Sequence, residues 1–150
     1  MNELRDLYQE VILDHSKKPR NFHTMKDPDR KSEGFNPLCG DRLTVYLRLD
    51  GDKIQDVSFE GSGCAISKAS ASMMTGWVRG KKISEAREIF EKFHQMLSRP
   101  AGAAFDSSSL GKLAVFSGVT EFPARVKCAT LAWHTLRSGL EDKKETVTTE

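Results

Sequence analysis

Residues 43–49, LTVYLRL, alternate Leu43, Val45, Leu47 and Leu49 with Thr44, Tyr46 and Arg48. Side chains two apart share a face of an extended chain, so the run has one apolar and one polar side and predicts a half-buried strand. Asp50-Gly51-Asp52 supplies the residues of a tight hairpin turn. Ile54, Val57 and Phe59 carry the apolar face on over 53–60. The step from 54 to 57 breaks the period of two, which predicts a bulge there. An isolated hairpin is barely stable in water, so this one needs a partner for its apolar face.

The flanking sequence supplies helices. In residues 3–14, Leu4, Leu7, Tyr8, Val11 and Ile12 fall on one helical stripe that runs into a basic end stopped by Pro19. Residues 21–37 are polar and turn-rich and predict a long loop, with a third edge strand near 31–38. From Cys64, the residues Ile66, Ala69, Met73 and Trp77 share a helical face up to Gly80. Ser84 predicts the cap of a further helix, which Pro100 ends. Small residues over 100–111 read as a loop and 110–119 as a short helix or turn. Pro123 opens a last helix with Val126, Ala129, Leu131, Trp133 and Leu136 available to a core. The polar tail EDKKETVTTE reads as frayed. Neither a repeat nor a linker interrupts the 150 residues, so the expectation is one domain over 1–150. Its fold class is α+β, a small antiparallel three-stranded sheet with helices packed on one face.

Charge and composition exclude some functions. A net charge of +2 gives no basic field for nucleic acid, and no run approaches the ~18 apolar residues of a membrane span. The opening MNELRDLYQEV has no leader-like apolar run. The expected setting is cytoplasmic, with neither nucleic acid nor membrane as partner. Gly61-Ser62-Gly63 starts like a dinucleotide loop, but Ile66 stands at the third glycine position. The four histidines are scattered, without the spacing of a metal pair, and read as packing or surface residues.

Chemistry is concentrated in three cysteines and one aspartate. An odd cysteine count in such a chain points to reduced thiols rather than a disulfide framework. Cys39 lies between Pro37 and Gly40, where a bent backbone presents it at a loop tip. Cys64 follows a glycine-rich stretch and opens a helix. Cys128 lies in the first turns of the final helix beside Arg125 and Lys127, and helix starts and cations lower a thiol pKa. Asp41 is two residues from Cys39. Three thiolates and a carboxylate form a four-coordinate shell of the kind zinc accepts. The residue pattern alone leaves a metal site, a sulfur-handling site and three buried core cysteines all open.

Four segments carry a resemblance: LYQEVILDHSKKPRN at 7–21, NPLCGD at 36–41, FEGSGCAISKASASMM at 59–74 and PARVKC at 123–128. With them the chain resembles the IscU/NifU N-terminal iron–sulfur assembly superfamily, and within it the SufU-type zinc-dependent sulfurtransferases. The resemblance implies a SufE/NifU-like fold and metal ligation by Cys39, Asp41, Cys64 and Cys128. It also implies persulfide sulfur received from a pyridoxal-phosphate-dependent cysteine desulfurase and passed to a downstream iron–sulfur scaffold complex. Lys127 stands where the cluster-building branch has histidine, and a protonated lysine has no lone pair for a metal. The long interval from Cys64 to Cys128 resembles the SufU-type insertion, placed near 99–121. These two departures point to Zn²⁺ and sulfur transfer, with Cys39 as the working thiol and Arg125 steadying it. The alternatives are a scaffold holding transient iron or a [2Fe–2S] cluster, and an adaptor with structural zinc.

Overall fold

In the computed structural model, which describes residues 3–100, 103–143 and 145–149, nine elements follow one another. They are α1 (Glu3–Lys17), β1 (Arg30–Asn36), β2 (Asp41–Asp50), β3 (Lys53–Ser62), α2 (Ala65–Val78), α3 (Ile83–Ser98), a 3₁₀ segment (Ser108–Glu121), α4 (Pro123–Leu140) and β4 (Val147–Thr148). Leu4 and Leu7, expected on the apolar stripe of α1, lie outside the residues whose side chains are described.

The alternating run forms β2, and the turn at 50–53 joins it to β3 in antiparallel register with Val45 opposite Phe59 and Leu47 opposite Val57. Leu49 pairs with Ile54 but Arg48 with Asp56, so Gln55 is the extra residue of a bulge. The broken period in the sequence marks this position. β1, at the place of the third strand expected from the sequence, pairs antiparallel with β2.

It is not an edge. Val147 and Thr148 pair in parallel with Gly34 and Phe35, giving a four-stranded mixed sheet in the order β3-β2-β1-β4. Part of the tail that reads as frayed is therefore a strand. Its pairing depends on an edge supplied from more than 100 residues earlier, which no local pattern records.

Helices cover one face of the sheet. Leu43, Val45 and Leu47 of β2 are buried there together with Leu131 and Trp133 of α4 and Phe93 of α3. The Phe93 and Trp133 rings stack at 4.8 Å, and Phe116 of the 3₁₀ segment meets Phe93 edge-on at 5.9 Å. Such pairs add specific geometry to the area they bury. Trp133 Nε1 donates to Ser70 Oγ at 3.2 Å, and Ser70 Oγ donates to Ala129 O at 2.5 Å, tying α2 to α4. The loop 19–29 wraps the opposite face. Met25 is buried, Asp29 N donates to Leu47 O at 2.8 Å, and Phe59 N donates to Asn21 O at 3.0 Å.

Two boundaries differ from the sequence reading. Helix α3 starts at Ile83 with Lys82 as its N-cap, so Ser84 lies inside the first turn. Glu85 Oε1 accepts from Lys82 N at 3.0 Å. Ile83 N donates to Asp52 O at 2.7 Å, and this contact with the hairpin turn sets the start where serine preference does not. The loop expected over 100–111 gives way to 3₁₀ structure at Ser108, with a kink at Gly111 (φ 52°). Ala101 and Gly102 of that expected loop lie outside the described residues.

Candidate metal centre

The hairpin between β1 and β2 builds the first half of the site. Asn36 and Asp41 are directly opposed as its closing pair, and residues 37–40 form the turn. Gly40 N donates to Asn36 O at 2.8 Å, and Gly40 takes a φ of 74°, a value that glycine adopts without strain. Cys39 is thereby raised at the turn and is exposed, while Asp41, the first residue of β2, is fully buried.

The second half comes from the start of α2 and the second turn of α4. Cys64 is the N-cap of α2, and Ser67 N donates to its Sγ at 3.4 Å. Its own backbone N donates to Asp41 Oδ1 at 2.8 Å. That approach needs the bare backbone of Gly63, where a Cβ would stand 2.6 Å from Asp41 Oδ1. Cys128 lies in α4, 2% exposed, with its Sγ 3.3 Å from Cys39 Sγ.

One ligand atom each from Cys39, Asp41 and Cys128 lie within 4.8 Å of one another. Cys64 stands outside that group, with its Sγ 3.9 Å from Asp41 Oδ2. Sulfurs at zinc–sulfur distances of about 2.3 Å in a tetrahedron are about 3.8 Å apart. The donor set of three soft sulfurs and one carboxylate oxygen suits zinc; Cys39, Asp41 and Cys128 are already grouped, and Cys64 has to move in to complete the shell.

The expectation that its neighbours lower the Cys128 thiol pKa is overturned. Burial pushes it up, and Cys39, Cys64 and the Asp41 charge beside it push the same way. The cations do not offset this. Arg125 is exposed with its guanidinium over the Phe122 ring at 5.1 Å, and Lys127 is half-buried. Cys128 is also the sixth residue of α4, beyond the first turn where the helix dipole acts.

A recess of about 430 Å³ opens over the thiols, walled by Ile12, Leu13 and Ile66 and bordered by Gln9 and Arg125. Leu13, Leu38 and Phe122 are exposed, and Leu38 immediately precedes Cys39 in the turn. A neighbouring recess of about 470 Å³ against the 3₁₀ segment shares Gln9, Ile12, Ile66 and Arg125 with it.

Sequence reasoning missed two residues here. Asn36 is fully buried and reaches both Asp41 and Cys128, and Gly63 makes room for Asp41. The β1–β2 register, had it been assigned, places Asn36 against Asp41; nothing in the sequence marks the clearance at Gly63.

A sheet with helices on one face carries three thiols to one carboxylate from a hairpin turn, the start of α2 and the second turn of α4, and this is the arrangement of a candidate thiolate metal centre. The chain belongs to the family of the NifU-like N-terminal domain, whose model matches residues 7–142. It is 45% identical over 138 residues to the zinc-dependent sulfurtransferase SufU of Bacillus subtilis (strain 168), covering 91% of each chain. It is 39% identical over 141 residues to the iron–sulfur cluster assembly scaffold protein IscU of Streptococcus pyogenes serotype M1, covering 94% of this chain and 87% of that one. Its fold matches the crystal structure of SufU from Fervidobacterium islandicum AW-1, described as a scaffold protein for the SUF system. There the TM-score is 0.82 at 40% identity over 91% of this chain and 98% of the other.

Proposed function

We propose that the chain is a zinc-dependent sulfur carrier in iron–sulfur cluster assembly, taking persulfide sulfur from a cysteine desulfurase at Cys39 and delivering it to a downstream scaffold complex. The observation that carries the reading is the asymmetry of the thiols: Cys39 is exposed on a turn, while Cys128, 3.3 Å away, is buried. The relative named as a zinc-dependent sulfurtransferase supports it over nearly the whole chain.

Cys39, Asp41, Cys64 and Cys128 would hold the ion. Bound zinc keeps thiols deprotonated and guards them against oxidation. In the transfer, the Cys39 thiolate attacks the outer sulfur of the partner's persulfide. The partner's sulfur–sulfur bond breaks, its cysteine leaves as a thiolate, and a new sulfur–sulfur bond forms on Cys39. One sulfur moves and no external oxidant is needed. Arg125, at the border of the recess, would steady the incoming anionic sulfur by its charge. The exposed Leu13, Leu38 and Phe122 offer an apolar rim for the partner to cover.

The test is incubation of the zinc-loaded protein with a cysteine desulfurase and free cysteine, followed by peptide mass spectrometry. A gain of about 32 Da, one sulfur atom, is expected on the peptide holding Cys39 and is lost in Cys39→Ser. A label confined to Cys128 removes Cys39 from the role. The similarity to IscU supports a second reading, in which the same four residues hold a [2Fe–2S] cluster under construction. Two irons per chain and thiolate–iron absorption in anaerobically isolated protein favour that reading; one zinc and no colour favour the first.

A further inference from the structure

Asn36 is fully buried at the end of β1, and its side chain touches three parts of the candidate centre. Its Oδ1 accepts from Leu38 N at 3.2 Å. That contact fixes which way the amide faces, because a flipped side chain would set N–H against N–H and oxygen against carboxylate. The NH₂ group is therefore turned inward. It donates to Asp41 Oδ2 at 3.4 Å and to Cys128 Sγ at 3.5 Å. One side chain thus ties the turn carrying Cys39, the strand start carrying Asp41 and the helix carrying Cys128.

Three thiolates and a carboxylate crowd more negative charge into one half-buried site than one divalent ion neutralises. The site needs donors to offset the excess, and groups that hydrogen-bond metal ligands also fix their orientation. Cys64 N serves one oxygen of Asp41. The Asn36 amide serves the other, and it is also placed to serve the most buried sulfur.

We infer that Asn36 is a positioning residue of the metal centre, orienting Asp41 and Cys128 as ligands. The inference rests on the metal-site reading above and adds to it a residue that acts through two of the ligands.

The experiment is cobalt(II) binding to the whole metal-free protein, read as affinity in competition with zinc and as the sulfur-to-cobalt charge-transfer and ligand-field bands. Two variants separate orientation of the ligands from anchoring of the turn. Asn36→Asp keeps the size and an acceptor for Leu38 N but removes both donors; Asn36→Ala removes everything. Both should bind cobalt about 10–100-fold more weakly, with altered ligand-field bands. An Asn36→Asp protein that matches the parent while Asn36→Ala is weak assigns the residue to turn anchoring and overturns the inference. Parent-like affinity and bands in both variants also overturn it, while strong thiolate bands in the parent leave the metal-site reading standing. A parent without thiolate–cobalt bands sinks that reading instead.

Nuclear magnetic resonance of the unmutated chain covers variants that do not fold. The Asn36 side-chain amide should exchange slowly with solvent and shift when zinc is added. A rapidly exchanging amide that ignores zinc overturns the inference.

Discussion

The sulfurs of Cys39 and Cys128 lie 3.3 Å apart although one residue is exposed and the other buried. This contact links a turn to a helix 89 residues later. In metal-free protein it sets the two thiols within reach of each other for oxidation. Treatment with a small-molecule disulfide should produce a Cys39–Cys128 bond by two exchange steps that release two reduced small thiols, leaving Cys64 free. Mass mapping of non-reduced peptides checks this, and zinc-loaded protein should resist it. A Cys39–Cys64 product would contradict the arrangement.

Gly63→Ala tests the clearance around Asp41. The added methyl would stand 2.6 Å from Asp41 Oδ1, so the carboxylate must shift and its bond from Cys64 N must lengthen. The substitution should weaken zinc binding about tenfold or more with little change in the circular dichroism of the metal-free chain. An unchanged zinc affinity in a chelator competition would show that Asp41 does not need this position.

His134 gives a pH dependence away from the thiols. Burial, then the nearby charges of Arg137 and His94, hold its pKa at about 4, against 6.5 for a free histidine. The folded protein therefore favours neutral His134, and the unfolded chain binds the extra proton. Its contribution to stability is full above pH 6.5 and declines as pH falls from about 6.5 towards about 4. Thermal unfolding of metal-free protein across this range should show a shallower decline in His134→Gln than in the parent. Parallel curves would remove His134 as the source.

Ser70→Ala probes the seam between α2 and α4. It removes the acceptor of the Trp133 indole N–H, and Trp133 is completely buried. An orphaned buried donor costs about 1–3 kcal/mol, and chemical denaturation should register that loss. Ser70→Thr, which keeps a hydroxyl, should recover part of it if the extra methyl fits.

Most of the scaffold is readable in the sequence because its signals are local. Leu43, Val45 and Leu47 alternate, Pro123 opens α4, and the irregular step between Ile54 and Val57 records the bulge at Gln55. The candidate ligands stand out in the sequence for a different reason: cysteine and aspartate are residue types that carry chemistry wherever the backbone sets them. What escapes is set by distant neighbours. The start of α3 at Ile83 follows from a bond to Asp52, and the raised Cys128 pKa from burial among groups far off in sequence. Asn36 looks like a turn-former until β2 is laid beside it.

The two-residue strand at the C-terminal end has a consequence for anyone who shortens or tags this chain. Val147 and Thr148 lie against Gly34 and Phe35, and Thr149 N donates to Phe35 O at 3.2 Å. Phe35 is the residue just before Asn36. Cutting the chain before Val147 would strip the hydrogen-bonded partner from the strand that ends in the thiol-bearing turn and leave open backbone that invites a neighbouring molecule to add its own strand. The site's geometry is therefore best measured on a chain that keeps residues 147–149.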